Sequence, residues 1–258
     1  MSIEINILGC GSSSGVPAIG NSWGNCDPKN PKNRRLRSSV LIKSKKSSII
    51  IDATPDLRQQ LLNANVKKLD AILVTHTHSD HINGIDDFRF LNVIMKKDIN
   101  LYASEHSINQ IKQRFGYVFE KLLPEANGFY YKPCLNPKVI KGSFKIKDLT
   151  ISSILQNHGF TESLGFRINN FAYCTDVLDF EESQFKKLKN LDLWIVDCLR
   201  FLPHKTHAHF DKVMNWIELL KPKKTVLTHM NYEVDYDFIL SKVPKNCFPA
   251  YDGMKIKI

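Results

Sequence analysis

The sequence lacks several features that define other classes of protein. It contains no run of eighteen apolar residues, so no segment is predicted to span a membrane. The first eight residues alternate like a strand and carry no basic n-region, so we expect no signal peptide. The six cysteines form no CxxC pair, and without an export signal we predict reduced thiols and a cytoplasmic location.

Internal repeats, low-complexity tracts and Gly/Ser linkers are also missing from the 258 residues. We therefore predict a single α/β domain over residues 1–258. Apolar or alternating runs predict strands at 3–8, 36–42, 48–51, 71–75, 99–103, 149–155, 164–168, 171–174, 193–196 and 224–228. Helical spacing predicts helices at 55–64, after a Ser104 cap and up to Gly116, at 181–189 and at 209–220. Asn169 and Asn170 fit a hairpin turn.

Charge is unbalanced, with a formal net charge of +10 and a basic stretch at residues 29–46. Aromatic residues are not interleaved with this stretch as stacking platforms would be, so a solvated surface is favoured over nucleic-acid binding. Guanidinium groups suit bidentate contacts with phosphate, so Arg34, Arg35 and Arg37 could form a phosphate clamp, with Arg34 and Arg37 as the candidate substrate-binding residues. Solvation or ion pairing with carboxylates is the alternative interpretation for these arginines.

Residues 75–81 hold three histidines and an aspartate, directly after the apolar run 71–74. The run predicts a buried strand, so the polar cluster lies where the strand ends and the chain turns. Imidazole and carboxylate are the usual ligands of zinc and related metals. The alternative is a polar helix N-terminus capped by Asp80, but it does not explain the density of ligand types. The pattern predicts a metal site that includes His76, His78, Asp80 and His81.

A dinuclear site needs about seven ligands, more than this loop supplies. Three further candidates, His158, Asp176 and His229, each lie just beyond an apolar run. A single aspartate at a strand end is more often a turn or cap residue. The repeated placement strengthens the joint hypothesis that all three converge on the metal site.

The order His-x-His-x-Asp-His, a lone His, a lone Asp and a final Thr-His resembles the metallo-β-lactamase superfamily along the whole chain. The resemblance implies an αββα sandwich: two mixed sheets covered by helices, with the metals at one edge. It also implies two divalent ions, zinc or manganese. By this resemblance His76, His78 and His158 hold one ion, Asp80, His81 and His229 hold the other, and Asp176 bridges them.

A narrower resemblance points to the phosphoribosyl 1,2-cyclic phosphate phosphodiesterase group. It rests on segments 15–17, 33–39, 84–89, 203–207, 227–230 and 250–253. The implied activity is hydrolysis of a small cyclic ribose phosphodiester by a hydroxide that the two metals hold. Asp80 would orient the nucleophile, and His207 would bind phosphate or protonate the leaving group.

The chain departs from that group at one place. Characterised members carry a structural zinc on three cysteines and a histidine, whereas the matching positions here are Asn21, Trp23, Cys26 and Tyr232. One thiol cannot hold a four-coordinate structural zinc. We therefore predict that this second metal site is absent.

Other functions remain alternatives at this point. A nuclease of the same superfamily, acting on RNA or DNA ends, is favoured by the basic charge, but the chain shows no Gly/Pro/Lys-rich arm for gripping transfer RNA. A non-catalytic protein with a vestigial site is opposed by the complete ligand set, and β-lactam or thioester hydrolysis stays open because fold does not fix substrate. His204 and His209 are interpreted as surface residues near the site, and His106 as structural. The oligomeric state is open, with a homodimer as one alternative.

Overall fold

The computed structural model describes residues 2–258, and its strands form two seven-stranded sheets. The strands are β1 Glu4–Gly9, β2 Ser39–Lys43, β3 Ser48–Ile51, β4 Ala71–Leu73, β5 Ile99–Ala103, β6 Leu135–Val139, β7 Phe144–Ile146, β8 Leu149–Asn157, β9 Glu162–Ile168, β10 Phe171–Cys174, β11 Leu193–Asp197, β12 Thr225–Thr228, β13 Cys247–Pro249 and β14 Lys255–Lys257. The first sheet has the order β14-β1-β2-β3-β4-β5-β6, and the second β13-β12-β11-β10-β9-β8-β7. Each sheet is mixed.

The apolar strands are buried on both faces. In β3, Ile49 and Ile51 belong to the core between the two sheets, whereas Ile50 lies in a second core on the outer face of the first sheet. Successive side chains of a strand point to opposite faces, so a strand covered on both sides reads as a continuous apolar run.

Helices cover the outer face of each sheet. The α-helices are α1 Leu57–Asn63, α2 Ser79–Ile82, α3 Arg89–Met95, α4 Glu105–Phe115, α5 Glu182–Phe185, α6 Phe210–Leu220 and α7 Tyr236–Leu240. Short 3-10 helices occur at Pro31–Asn33, Ile85–Phe88, Gly116–Phe119, Pro124–Ala126 and Lys186–Leu188. Apolar residues of α1, α3 and α4 complete the outer core of the first sheet, and the buried side chains of α6 join the core of the second. The predicted αββα sandwich is confirmed.

Several local predictions are also confirmed. The strands at 99–103 and 171–174 have the predicted bounds, and the Ser104 side chain accepts a hydrogen bond from the Ser107 amide at the start of α4. Asn169 adopts φ 53° in the turn between β9 and β10.

Other strand predictions differ from the structure. The predicted strand 36–42 begins only at Ser39, because Arg35 and Arg37 form isolated bridges instead of a ladder. Strands β6, β7, β13 and β14 were not predicted.

The sequence also led us to expect no membrane-spanning segment and no disulfide, and both expectations concern the described residues 2–258. Within this range no helix combines the length and the apolar character that crossing a membrane requires. All six cysteines are buried and free. The parallel strands β3 and β4 of one sheet and β10, β11 and β12 of the other lead to polar residues at the same edge of the sandwich, where a site can form.

Candidate metal centre

The first part of the site is the loop after β4. His76 and His78 precede α2, and Asp80 and His81 lie within it. The backbone of α2 packs against residues 53–54, since the Ala53 amide donates to the His81 carbonyl and the Gly84 amide donates to the Ala53 carbonyl. A Cβ at Gly84 would lie 1.9 Å from the Thr54 carbonyl oxygen, so only glycine permits this approach.

Three imidazoles form one donor group, which we call the histidine group: His76, His78 and His158. One ring nitrogen of each lies within 4.8 Å of the others. The His76 Nε2 to His78 Nδ1 distance is 2.9 Å, and the His158 Nε2 to His78 Nδ1 distance is 3.4 Å. Burial, together with the nearby His81, holds the pKa of His76 well below its ordinary value. A neutral imidazole offers the lone pair that a metal binds.

Two carboxylates and two imidazoles form a second group, the aspartate group: Asp80, His81, Asp176 and His229. Their donor atoms also lie within 4.8 Å of one another. Asp176 Oδ1 is 2.7 Å from His81 Nε2 and 3.6 Å from His76 Nε2 of the histidine group, and Asp176 Oδ2 is 3.0 Å from His229 Nε2. Asp176 thus belongs to the aspartate group and also lies next to the histidine group, and its role as a bridging ligand stays a prediction.

The donor set fits divalent metal ions. The Nε2 atoms of His81 and His229 are buried and have no hydrogen-bond partner, although Asp176 oxygens lie within 3.0 Å of both. A buried polar atom without a partner is costly, and such atoms are rare in folded proteins. These two nitrogens and the Asp176 carboxylate are arranged as the ligands of one metal ion would be, around a common point.

Backbone conformation at the site supports the same conclusion. Asp176 and His229 adopt φ values of 53° and 58°, in the left-handed region. This conformation costs a non-glycine residue about 1–2 kcal/mol. Asp176 and His229 follow the ends of strands β10 and β12. The fold therefore keeps both residues in an unfavourable backbone conformation in which their side chains meet at the site.

A buried carboxylate supports the first loop from behind. Asp52, which follows β3, accepts hydrogen bonds from His81 Nδ1 at 2.8 Å and from the Thr75 hydroxyl at 2.9 Å. The Thr75 hydroxyl in turn lies 3.0 Å from His76 Nδ1. Carboxylates in this position fix the tautomer and orientation of ligating histidines. Sequence reasoning missed Asp52, although it follows an apolar run in the same way as the predicted ligands.

His207 lies beside both donor groups. Its Nδ1 donates to Asp197 Oδ2 at 2.7 Å, and its ring stacks on that of His229 with centroids 4.8 Å apart. Burial lowers the pKa of His207, but the charge and hydrogen bond of Asp197 together with the charge of Asp176 outweigh burial and raise this pKa to about 9. Asp197, the last residue of β11, was also missed and carries the same strand-end signal.

The comparisons with known proteins agree with this geometry. Residues 47–230 match the family described as the beta-lactamase superfamily domain. The chain belongs to the metallo-β-lactamase superfamily. Proteins of this superfamily bind divalent metals, and the His and Asp clusters of this chain could hold such ions.

Three matched proteins resemble this chain to different degrees. A crystal structure of a new diphosphatase from the PhnP family is 32% identical, has a TM-score of 0.91 and is matched over 100% of this chain and 98% of its own. The octanoyltransferase of Porphyromonas gingivalis is 31% identical over 254 residues, which are 96% of this chain, but the chain spans only 50% of that protein. Human tRNase Z, short form, is 16% identical with a TM-score of 0.70 over 98% of each chain and shares the fold alone.

The arginines of this metallo-β-lactamase-fold chain have intramolecular partners. Arg37 pairs with Asp56 at 2.9 Å, and the exposed Arg34 stacks over the Trp23 ring at 5.0 Å. Arg35 is buried and donates to the Val234 carbonyl at 2.7 Å. Arg37 therefore forms the ion pair with a carboxylate that was the alternative to substrate binding. Substrate binding by Arg34 and Arg37 stays a prediction.

The region that departs from the cyclic phosphodiesterase group is held by hydrogen bonds. Cys26 Sγ donates to the Val234 carbonyl at 3.3 Å, and the Asn25 amide donates to the Tyr232 carbonyl at 2.9 Å. Burial raises the pKa of the Cys26 thiol, which disfavours the thiolate that a metal needs. Arg35, with donors toward Cys26, Asn231 and Val234, connects the two segments.

Proposed function

We propose that this chain is a metal-dependent phosphodiesterase that acts on a small phosphodiester, with a cyclic ribose phosphate as the leading substrate. The observation that supports this most directly is that Asp176, a member of the aspartate group, also lies 3.6 Å from His76 of the histidine group, so that the two groups adjoin. Two adjacent donor groups would suit a pair of divalent ions, as in phosphatases and nucleases. The 32% identity with a PhnP-family diphosphatase supports phosphorus chemistry at this site.

In this proposal the seven side chains of the two groups would hold two divalent ions. When bound, such a pair neutralises phosphoryl oxygens and makes water a better nucleophile. Asp80, half-buried at the start of α2, would orient the attacking water. Asp52 and the Thr206 carbonyl, which accepts from His158 Nδ1 at 2.8 Å, would keep the ligand imidazoles in fixed tautomers.

His207 would donate a proton to the departing oxygen. Because its Nδ1 is engaged by Asp197, the proton on Nε2 is the one available for transfer. The phosphorus–oxygen bond to the leaving group breaks with its electron pair on that oxygen, which takes this proton. A positioned acid of this kind contributes about 10²–10⁴-fold to the rate.

A second candidate substrate is a diphosphate, because the matched PhnP-family structure is described as a diphosphatase. The nuclease alternative has less support, since much of the basic stretch is engaged within the chain. Lys32 lies 4.4 Å above the Tyr236 ring, Arg35 is buried, and Arg37 pairs with Asp56. These contacts leave fewer cations for a phosphate backbone.

The test is turnover after reconstitution with zinc or manganese, measured on a ribose 1,2-cyclic phosphate, a sugar diphosphate, single-stranded RNA and a thioester. We expect the cyclic phosphate to give the highest kcat/KM and elemental analysis to find close to two ions per chain. Preferred cleavage of RNA would favour the nuclease. Less than one ion per chain after reconstitution would contradict the dinuclear site.

A further inference from the structure

A single buried carboxylate lies between His207 and one of the predicted metal ligands. Asp197, the last residue of β11, accepts hydrogen bonds through Oδ2 from His207 Nδ1 at 2.7 Å and from the Val177 amide at 3.1 Å. Its other oxygen, Oδ1, is 3.8 Å from Nδ1 of His229. Asp197 is fully buried, so both oxygens interact with protein groups and not with bulk solvent.

The pairing of strands brings these groups together. β11 and β12 are neighbouring parallel strands, and Asp197 ends the first while His229 directly follows the second. The Leu199 amide donates to the Ala208 carbonyl at 3.1 Å, which holds His207 beside the end of β11. The rings of His207 and His229 are stacked at an interplanar angle of 12°. The Nδ1 atoms of these two rings therefore face one carboxylate, each on a different oxygen.

The contact between Asp197 and His229 is left open. Asp197 Oδ1 and His229 Nδ1 are both buried, and neither has a hydrogen-bond partner within residues 2–258. A separation of 3.8 Å is too long for a hydrogen bond, and a shift of about 1 Å would close it. Because buried polar atoms without partners are costly, this pair favours a state in which the gap is closed.

Metal binding at His229 would supply that state. Nε2 of His229 lies 3.0 Å from Asp176 Oδ2, on the side of the aspartate group. An imidazole that binds an ion through Nε2 carries its proton on Nδ1, and this proton needs an acceptor. Asp52 already accepts from Nδ1 of His81, another member of the aspartate group, at 2.8 Å. Asp197 Oδ1 is placed to do the same for His229.

We propose that Asp197 is a positioning residue shared by a metal ligand and the proton donor: Oδ1 orients His229, and Oδ2 orients His207. The proposal rests on the proposed phosphodiesterase function and deepens it. The same carboxylate sets the geometry of the aspartate group and of the residue that protonates the leaving oxygen. Loss of Asp197 should therefore weaken metal binding and leaving-group protonation together, whereas loss of His207 should affect protonation alone.

The first measurement is zinc affinity by competition with a chelator, which does not depend on turnover. Asp197→Asn keeps the size of the side chain but replaces one oxygen by a donor, so it no longer accepts from both imidazoles. Zinc affinity should fall about 10–100-fold in Asp197→Asn and stay within about twofold of the wild type in His207→Ala. Asp192→Asn is the matched control, since Asp192 directly precedes the other end of β11 and pairs with the exposed Lys223 at 2.7 Å.

The second measurement is kcat at saturating zinc, on a ribose 1,2-cyclic phosphate and on an activated aryl phosphodiester. Asp197→Asn should lower kcat for the cyclic phosphate more than for the aryl substrate, which needs less protonation of its leaving group. The double variant with His207→Ala should lose no more than His207→Ala alone, because Asp197 acts on the leaving group only through His207.

A third measurement serves if Asp197→Asn does not fold. In wild-type protein with ¹⁵N-labelled histidine, zinc should bring the Nδ1 proton of His229 into a hydrogen bond, seen by NMR as a downfield shift and slower exchange with solvent. Wild-type zinc affinity in Asp197→Asn, multiplied losses in the double variant, or a His229 Nδ1 proton that zinc leaves unchanged would overturn the proposal. If the wild type hydrolyses neither diester, the phosphodiesterase function is contradicted, and zinc affinity still decides whether Asp197 supports His229.

Discussion

The two sheets repeat one arrangement but use it differently. In each, antiparallel strands lead to a series of parallel strands that starts with β3 in the first sheet and β10 in the second. An aspartate in the left-handed conformation follows both, Asp52 with φ 68° and Asp176 with φ 53°. Asp52 hydrogen-bonds a candidate ligand from behind, whereas Asp176 lies among the donor atoms. Aspartates at corresponding strand ends of the two sheets thus have different roles, which depend on the residues that follow the neighbouring strand.

The next strand in each sheet shows the complementary difference. After β4, one loop carries four candidate ligands, whereas β11 ends in Asp197, which engages His207 and contributes no predicted ligand. The first sheet and its loops contribute four donors from one segment, residues 76–81. The second sheet contributes three donors, which follow the ends of β8, β10 and β12. These two parts are the halves of the molecule. Each donor group takes residues from both halves, so neither half forms a complete site.

The largest effect should come from Asp176, where the comparison is sharpest. Asp176→Ala removes the carboxylate of the aspartate group that adjoins the histidine group, and we expect turnover to fall by more than about 100-fold, beyond the cost of losing an outer hydrogen bond to a ligand. Bound metal should also decrease. Circular dichroism should remain that of a folded protein because the site lies at the edge of the sandwich. Unchanged turnover would contradict the assignment of Asp176.

His207→Ala should show which role the Asp197–His207 pair has. If His207 protonates the leaving oxygen, hydrolysis of a cyclic ribose phosphate should fall about 10²–10⁴-fold, whereas an activated aryl phosphodiester needs little of this help. Metal content should stay normal, since His207 is not among the seven predicted ligands. An equal loss on both substrates would indicate phosphate binding, and loss of an ion would make His207 a ligand.

Asp52→Asn tests the position equivalent to Asp176 in the first sheet. The amide keeps the shape but accepts less strongly from His81 and Thr75, so we expect a 10–100-fold loss of metal affinity or activity. Metal affinity is measured by competition with a chelator, which does not depend on turnover. If Asp52→Asn lowered turnover and metal content as much as Asp176→Ala does, the distinction between Asp52 as a supporting residue and Asp176 as a ligand would be wrong.

The sequence predicted the architecture, and the seven residues that it named as metal ligands lie together in two donor groups, because each follows a recognisable run. Metal binding by these residues stays a prediction. The dense motif at His76–His81 is local, so it needs no knowledge of the fold. Asp52 and Asp197 carry the same signal, but which histidine each one reaches depends on the pairing of distant strands. Short edge strands such as β13 and β14 carry too few residues for periodicity to identify.

The smallest effect should come from Cys26→Ser, in the region where hydrogen bonds join residues 25–35 to residues 231–235. Serine still donates to the Val234 carbonyl, so we expect a change of less than about 1 kcal/mol in the free energy of unfolding. Metal content should be unchanged, because the buried thiol is protonated and has no cysteine partner here. Arg35→Ala is the contrasting variant: it removes the buried guanidinium that donates to the Asn231 and Val234 carbonyls and should cost about 2–4 kcal/mol in the free energy of unfolding, with metal content again unchanged. Chemical denaturation and elemental analysis of both variants decide the matter, and loss of one ion in Cys26→Ser would show that Cys26 ligates a third metal.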